Sequence, residues 1–164
     1  MDNPFPRKAL TTILVLFIAV VFIQSLFFKF TDSPETQHIF GTLDAWGSSL
    51  GFPGLFARNG IFSPHVVGSV ESLASVVLLI ALLRKRSSGV ALGALLSLGV
   101  ISGAIFFHLL TPLGIEVLNA VGSRDGGQLF AMACGIWVSS VVLIASHRQA
   151  LARLMARSCA RGTA

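Results

Sequence analysis

The sequence predicts an all-α fold: a bundle of four transmembrane helices with a short amphipathic interfacial helix in the first outer loop. Three observations carry that prediction. The 164-residue chain is 54% hydrophobic and only 12% charged, about half the charged share of a typical soluble domain. Its apolar residues gather in four runs, 9–30, 65–83, 89–111 and 129–146. At ~1.5 Å per residue, each run can cross a hydrocarbon core ~30 Å thick. The basic residues then fall almost entirely on one side of that path. Little chain is left over, so residues 1–164 read as one membrane domain.

The first run follows Arg7 and Lys8, like a secretory signal. It is longer than an h-region of ~7–15 residues, and it ends in bulky "QSLFFKF" with no small-residue cleavage site. We expect a retained helix. The first outer loop, 31–64, is too long to be a plain connection. Asp32 or Ser33 can cap a helix, Pro34 suits its first turn, and Glu35 suits the positive end of its dipole. Ile39, Phe40, Leu43, Trp46 and Leu50 then form one apolar stripe, and Gly51 can end the helix. This helix, about 34–50, is expected either to lie in the interface, with Trp46 and Phe40 at headgroup level, or to fold over the bundle mouth.

The second and third runs are joined by Arg84, Lys85 and Arg86. The second outer loop ends "RDGGQ", where Asp125 can cap the fourth helix. A basic tail, 147–164, follows. Arg7, Lys8, Arg84, Lys85, Arg86, Arg148, Arg153, Arg157 and Arg161 share one side; only Lys29, Arg58 and Arg124 lie on or near the other. That is the positive-inside pattern, with both termini cytoplasmic. It accounts for the net charge of +5 by membrane topology and not by nucleic-acid binding. Of the acids, Asp2 is expected to be cytoplasmic. Asp32, Glu35, Asp44, Glu116 and Asp125 fall in the outer loops, and Glu71 falls in the membrane.

Small residues line the spans: Gly68, Ser72 and Ser75; Gly89, Gly93 and Ser97; Gly99 and Gly103; Gly135 and Ser139. Such stripes let helices approach closely, and we expect packing within the bundle. Cys134 and Cys159 form no C-x-x-C pair, which argues against a dithiol mechanism in this chain.

The candidate site residues converge on the outer half of the bilayer. Glu71 lies ~9 Å into its span and His108 ~5 Å from the end of its own. Lys29 and Gln24 close the first helix, and Gln128 opens the fourth. A carboxylate at that depth needs a partner or a proton. Two readings stay open. Glu71 and His108 could act catalytically, handling protons, while Lys29, Gln24 and Gln128 bind the polar head of a lipophilic substrate such as a quinol. Alternatively the same groups form a structural polar knot, with Lys29 snorkelling and His108 bonded to a loop carbonyl. His38, His65 and His108 lack metal-ligand spacing, so no metal is expected. A small transporter is the weaker reading, since broken-helix signals are missing.

In order along the chain, "FFKFTD", "SLGFPG", "VESLASVVLLIALLRKR", "GAIFFHLLTPLGIEV" and "DGGQLFAMACGIWVSS" resemble the DoxX-like family of small bacterial membrane proteins. The corresponding family patterns are a K-[FL] helix end, an L-G-x-P turn, an E-L-x-x-G-x-x-L-L-L-G stretch, an A-I-x-x-H helix end and a D-G-G-x-x-F helix start. The resemblance spans most of residues 10–145. Ala74 and Ser75 stand where the family often has glycines, and the first outer loop is longer. The resemblance implies a bacterial inner-membrane protein with family-like polar positions at Lys29, Glu71 and His108. It also implies quinone-linked or thiol-linked redox chemistry, with a quinone as cofactor and a redox partner protein supplying the electron carrier. The rival expectation is a non-enzymatic assembly or accessory factor in which Glu71 is a structural ion-pair member. The residues alone leave enzyme status and oligomeric state open.

Overall fold

Pro4 and Pro6 stand where a helix tolerates proline, in its first turn, and α1 runs unbroken from Pro4 to Phe30 in a computed structural model that describes residues 4–119 and 121–161. Asp2 and residues 162–164 of the tail lie outside the described residues, as does the side chain of Cys159. Five further helices follow: α2 (Pro34–Ser49), α3 (Pro64–Leu83), α4 (Ser87–Leu110), α5 (Gln128–Ser146) and α6 (Arg148–Arg161). Among the described residues there is no strand beyond one bridge between Leu118 and Arg124. α1, α3, α4 and α5 are the helices long and apolar enough to span a membrane, and they fit a multi-pass membrane protein.

These four helices form a closed ring in the order α1, α3, α4, α5, each packed on its two neighbours. The shared core joins Val15, Ile18 and Phe22 to Leu78, Val90, Ile101, Ile136 and Leu143, with Ala74, Ala81, Ala94 and Ala133 between them. The outside carries Ile13, Val20, Phe27, Leu73, Leu83 and Val138, all exposed. An exterior this apolar on every span fits hydrocarbon and not water. On α4 the arrangement is plainest: Ala91, Gly93, Ala94 and Ser97 face in, and Leu92 and Leu95 face out.

Small residues inside set the spacing, as expected for some glycines and not for others. A Cβ on Gly93 would sit 2.7 Å from Leu78 Cγ, and one on Gly89 2.7 Å from Ala81 Cβ. Gly99 and Gly103, expected to pack within the bundle, have open space where a Cβ would be. Gly93→Ala should therefore cost about 1–3 kcal/mol of bundle stability by overpacking. Gly99→Ala should change it by less than about 0.5 kcal/mol. Paired detergent-denaturation curves read the difference; equal costs would mean that α3 and α4 are not in contact at Gly93.

α2 begins as the sequence predicts. Ser33 caps it, accepting the N–H of Thr36 at 3.3 Å, and Gly51 leaves it with φ +90°. The destination of its apolar stripe settles between the two expectations. Leu43 is buried with Phe56, Leu113 and Val117, and Ile39, Phe40 and Trp46 pack against that group. Trp46 lies 6.4 Å, ring to ring, from both Phe56 and Phe107. Leu43 is buried and Ile39, Phe40 and Trp46 are half-buried against the protein, while Leu50 at the end of the stripe stays exposed, so the segment folds over the bundle end as a cap. The carboxylate of Asp44, accepting the N–H of Phe56 at 3.1 Å, ties α2 to the loop beyond it.

The residues from 148 on, expected only as a basic tail, begin as a helix, α6. It starts directly after α5, and the Arg7 guanidinium donates to the Ser146 carbonyl at 3.1 Å, fixing the start of α1 beside that junction. We call this the basic end of the bundle and the capped end the far end.

Candidate functional site

The polar centre of the bundle lies where α3 meets the last turn of α1. Gly68 on α3 lies against Leu26 and Phe30 of α1, with 3.4 Å left for a Cβ. His65, a turn earlier, has its ring 5.8 Å from that of Phe30. These contacts bracket Lys29 and bring the last turn of α1 against the α3 turn that carries Glu71. The Lys29 Nζ donates to both carboxylate oxygens of Glu71, at 3.0 and 2.9 Å. It also donates to Ser25 Oγ, one turn back on its own helix. An ammonium has three donors, and all three are used. The Glu71 side chain is 7% exposed and that of Lys29 15%. Lys29 thus turns inward and does not snorkel. The hydroxyl of Ser75, one turn on from Glu71, donates to the Glu71 backbone carbonyl at 2.9 Å and not to its carboxylate.

His108 is buried, but it serves a different part of the molecule. Its Nδ1 lies 2.7 Å from the carbonyl of Gly114. A carbonyl can only accept, so Nδ1 carries a proton. The ring sits edge-on to Phe130 of α5 at 5.7 Å. His108 therefore pins the α4–α5 loop, whose other fixed point is Asp125. The Asp125 carboxylate accepts the N–H groups of Val117 (2.9 Å), Gly127 (3.0 Å) and Leu129 (3.0 Å). The last bond supplies the expected cap of α5. Burial opposes the charge of Asp125, but the three backbone N–H groups and the nearby His108 outweigh it and hold the carboxyl below its ordinary value.

The expected convergence thus resolves into two separate clusters. Lys29, Ser25 and Glu71 form one; His108, Gly114 and Asp125 organise the other. Gln24 and Gln128 are exposed and join neither. Among the described residues, no group of three or more His, Cys, Asp or Glu side chains is placed to hold a metal ion. Ser140, fully buried on α5, has no hydrogen-bond partner among the described residues, and its hydroxyl points at neither cluster's groups within bonding distance.

Charge balance at the far end is local. Each basic residue there meets an acid: Lys29 meets Glu71, Arg58 meets Asp32 at 3.6 Å, and Arg124 meets Glu116 at 3.5 Å. The last two pairs are exposed and contribute little to stability. At the basic end, a groove that the sequence did not suggest lies between α1, α4 and the α5–α6 junction. Its signal in the sequence was the arginine spacing of "RQALAR", which reads equally well as a tail. Compared with protein-family models, curated proteins and solved structures, the chain matches none.

Proposed function

We propose that the chain is a DoxX-like, non-enzymatic accessory protein of the bacterial inner membrane, with its basic end in the cytoplasm. In this reading the four-helix bundle is a rigid scaffold for a partner protein, and Lys29–Glu71 is its internal brace. The observation that carries it is the saturation of the ion pair. Both Glu71 oxygens are held by one ammonium, whose third donor is taken by Ser25. Such a pair has no donor to spare for a substrate. His108, the second candidate for proton handling, is bonded to Gly114 and is not joined to the pair. The inner-membrane orientation is supported by arginines without an acid partner at one end, among the described residues, and by the paired cations at the other.

A quinone-linked or thiol-linked redox subunit is the second reading. It is favoured by one observation: the Lys29 side chain keeps 15% of its surface open, so the ion pair is not wholly sealed from a polar head beside it. The experiment that separates the two uses purified protein in lipid nanodiscs with decylubiquinone as probe. Accessory function predicts that Glu71→Gln lowers thermal stability and partner recovery together, and that neither wild type nor variant binds the quinone. Saturable quinone binding in the wild type, lost in Glu71→Gln at unchanged fold, would establish the redox reading instead.

A further inference from the structure

We propose that the basic end carries a built site for the phosphate of an anionic phospholipid. A groove of about 430 Å³ is lined there by Arg7, Ser87, His147, Arg148, Gln149 and Arg153. These residues come from α1, from the first turn of α4 and from the α5–α6 junction, so the fold assembles the site from segments far apart in sequence. Arg7 gives one N–H to Ser146, which aims the guanidinium and leaves its other donors for a ligand. The Arg86 side chain makes no capping bond to α4. An anion in the groove would lie beside the positive end of that helix's dipole, since Ser87 of its first turn lines the groove.

Charge balance points the same way. The acids among the described residues are Asp32, Glu35, Asp44, Glu71, Glu116 and Asp125. All belong to the far half of the chain's path, so no described carboxylate neutralises the groove. Arg7, Arg148 and Arg153 line one groove with no described acid among its lining residues, so an anion entering it meets positive charge alone. A phosphate suits them, since arginine forks match its oxygens two at a time.

The position of the groove selects the source of the phosphate. Arg7, Ser87 and Ser146 are themselves the boundary residues of three membrane-spanning segments. A groove at that level lies in the headgroup plane, where basic pockets between helices hold lipid phosphates. The proposal is independent of the function of the ion pair at the other end.

The test is lipid retention by native mass spectrometry, on protein reconstituted in nanodiscs of phosphatidylcholine with phosphatidylglycerol. The wild type should retain phosphatidylglycerol after release. Arg148→Gln/Arg153→Gln should lose it by about fivefold per arginine removed. Arg84→Gln/Lys85→Gln removes two charges at the same end but outside the groove, and should retain it. Equal loss in both double variants would overturn the site in favour of diffuse attraction. Full retention in Arg148→Gln/Arg153→Gln would overturn it outright. Millimolar inorganic phosphate in pure phosphatidylcholine discs is the last arm. No thermal shift there supports the lipid source, and a shift abolished by Arg148→Gln/Arg153→Gln would overturn it in favour of a soluble phosphate.

Discussion

Glu71→Leu alone and Lys29→Met alone should each destabilise the bundle by about 3–5 kcal/mol, and the two together by about 1 kcal/mol or less. The reason lies in what each single change leaves behind. Lys29→Met strands a carboxylate that is 7% exposed, and Glu71→Leu strands an ammonium that is 15% exposed. An unpaired charge in a span is costly, about 2.5–3.5 kcal/mol even on the lenient insertion scales. The double variant removes both charges and replaces them with apolar volume, which a bundle with an apolar core accommodates. Ser25 then keeps its hydroxyl, which can turn to a backbone carbonyl of its own helix. Steric-trapping or detergent-denaturation free energies on the four proteins give the coupling directly. If the single costs simply add in the double variant, Lys29 and Glu71 do not interact in the membrane and the brace is abandoned.

The second large effect is expected at Asp125, outside the spans. Asp125→Ala removes one carboxylate and orphans three N–H groups. Hydrogen bonds to a charged acceptor contribute about 1.5–3 kcal/mol each, though not additively. The α4–α5 loop should detach from the start of α5, with the far-end cap loosened through Val117 and Leu113. The sign with pH follows from the direction of the shift. The folded carboxyl lies below its ordinary value of 3.8. Its stabilisation is complete above that value and is lost as pH falls through the lower, folded one. Trp46 reports on this cap, and Trp137 is the other of the 2 tryptophans. In a Trp137→Phe background, Trp46 fluorescence should therefore show an acid transition below about pH 4. Asp125→Asn should abolish that transition and leave the cap weakened at all pH values. An acid transition that persists in Asp125→Asn would place the titrating group elsewhere.

The spans were readable because a membrane imposes a length and an apolar composition on each helix separately. Ser33, Gly51 and Asp125 were readable for a similar reason: capping is settled within a few residues. Glu71 stood out as an acid in an apolar run, and Lys29 as a cation close by in depth. Their contact was not readable, because it depends on how near α1 comes to α3, where Gly68 meets Leu26 and Phe30. His108 shared their depth but not their side of the ring, and depth is all that position along a helix conveys. The stripe on α2 required an apolar surface without specifying whether lipid or protein provides it. Phe56, in the loop just beyond α2, and Phe107, far along the chain on α4, decide that it is protein. α6 read as a tail because four arginines in 14 residues leave it too polar to announce a packed helix.

The link between α1 and α3 also bears on how the chain enters a bilayer as it is made. α1 emerges first, carrying Lys29 near its end. α3 follows with its acid deeper, and by itself that acid opposes insertion. Once α1 is in place, Lys29 offers the acid a counter-charge, so the third helix to be synthesised gains its membrane position partly from the first. A nascent chain lacking α1 should leave α3 more often untranslocated than its apolar content would suggest, and Glu71→Leu should remove that dependence.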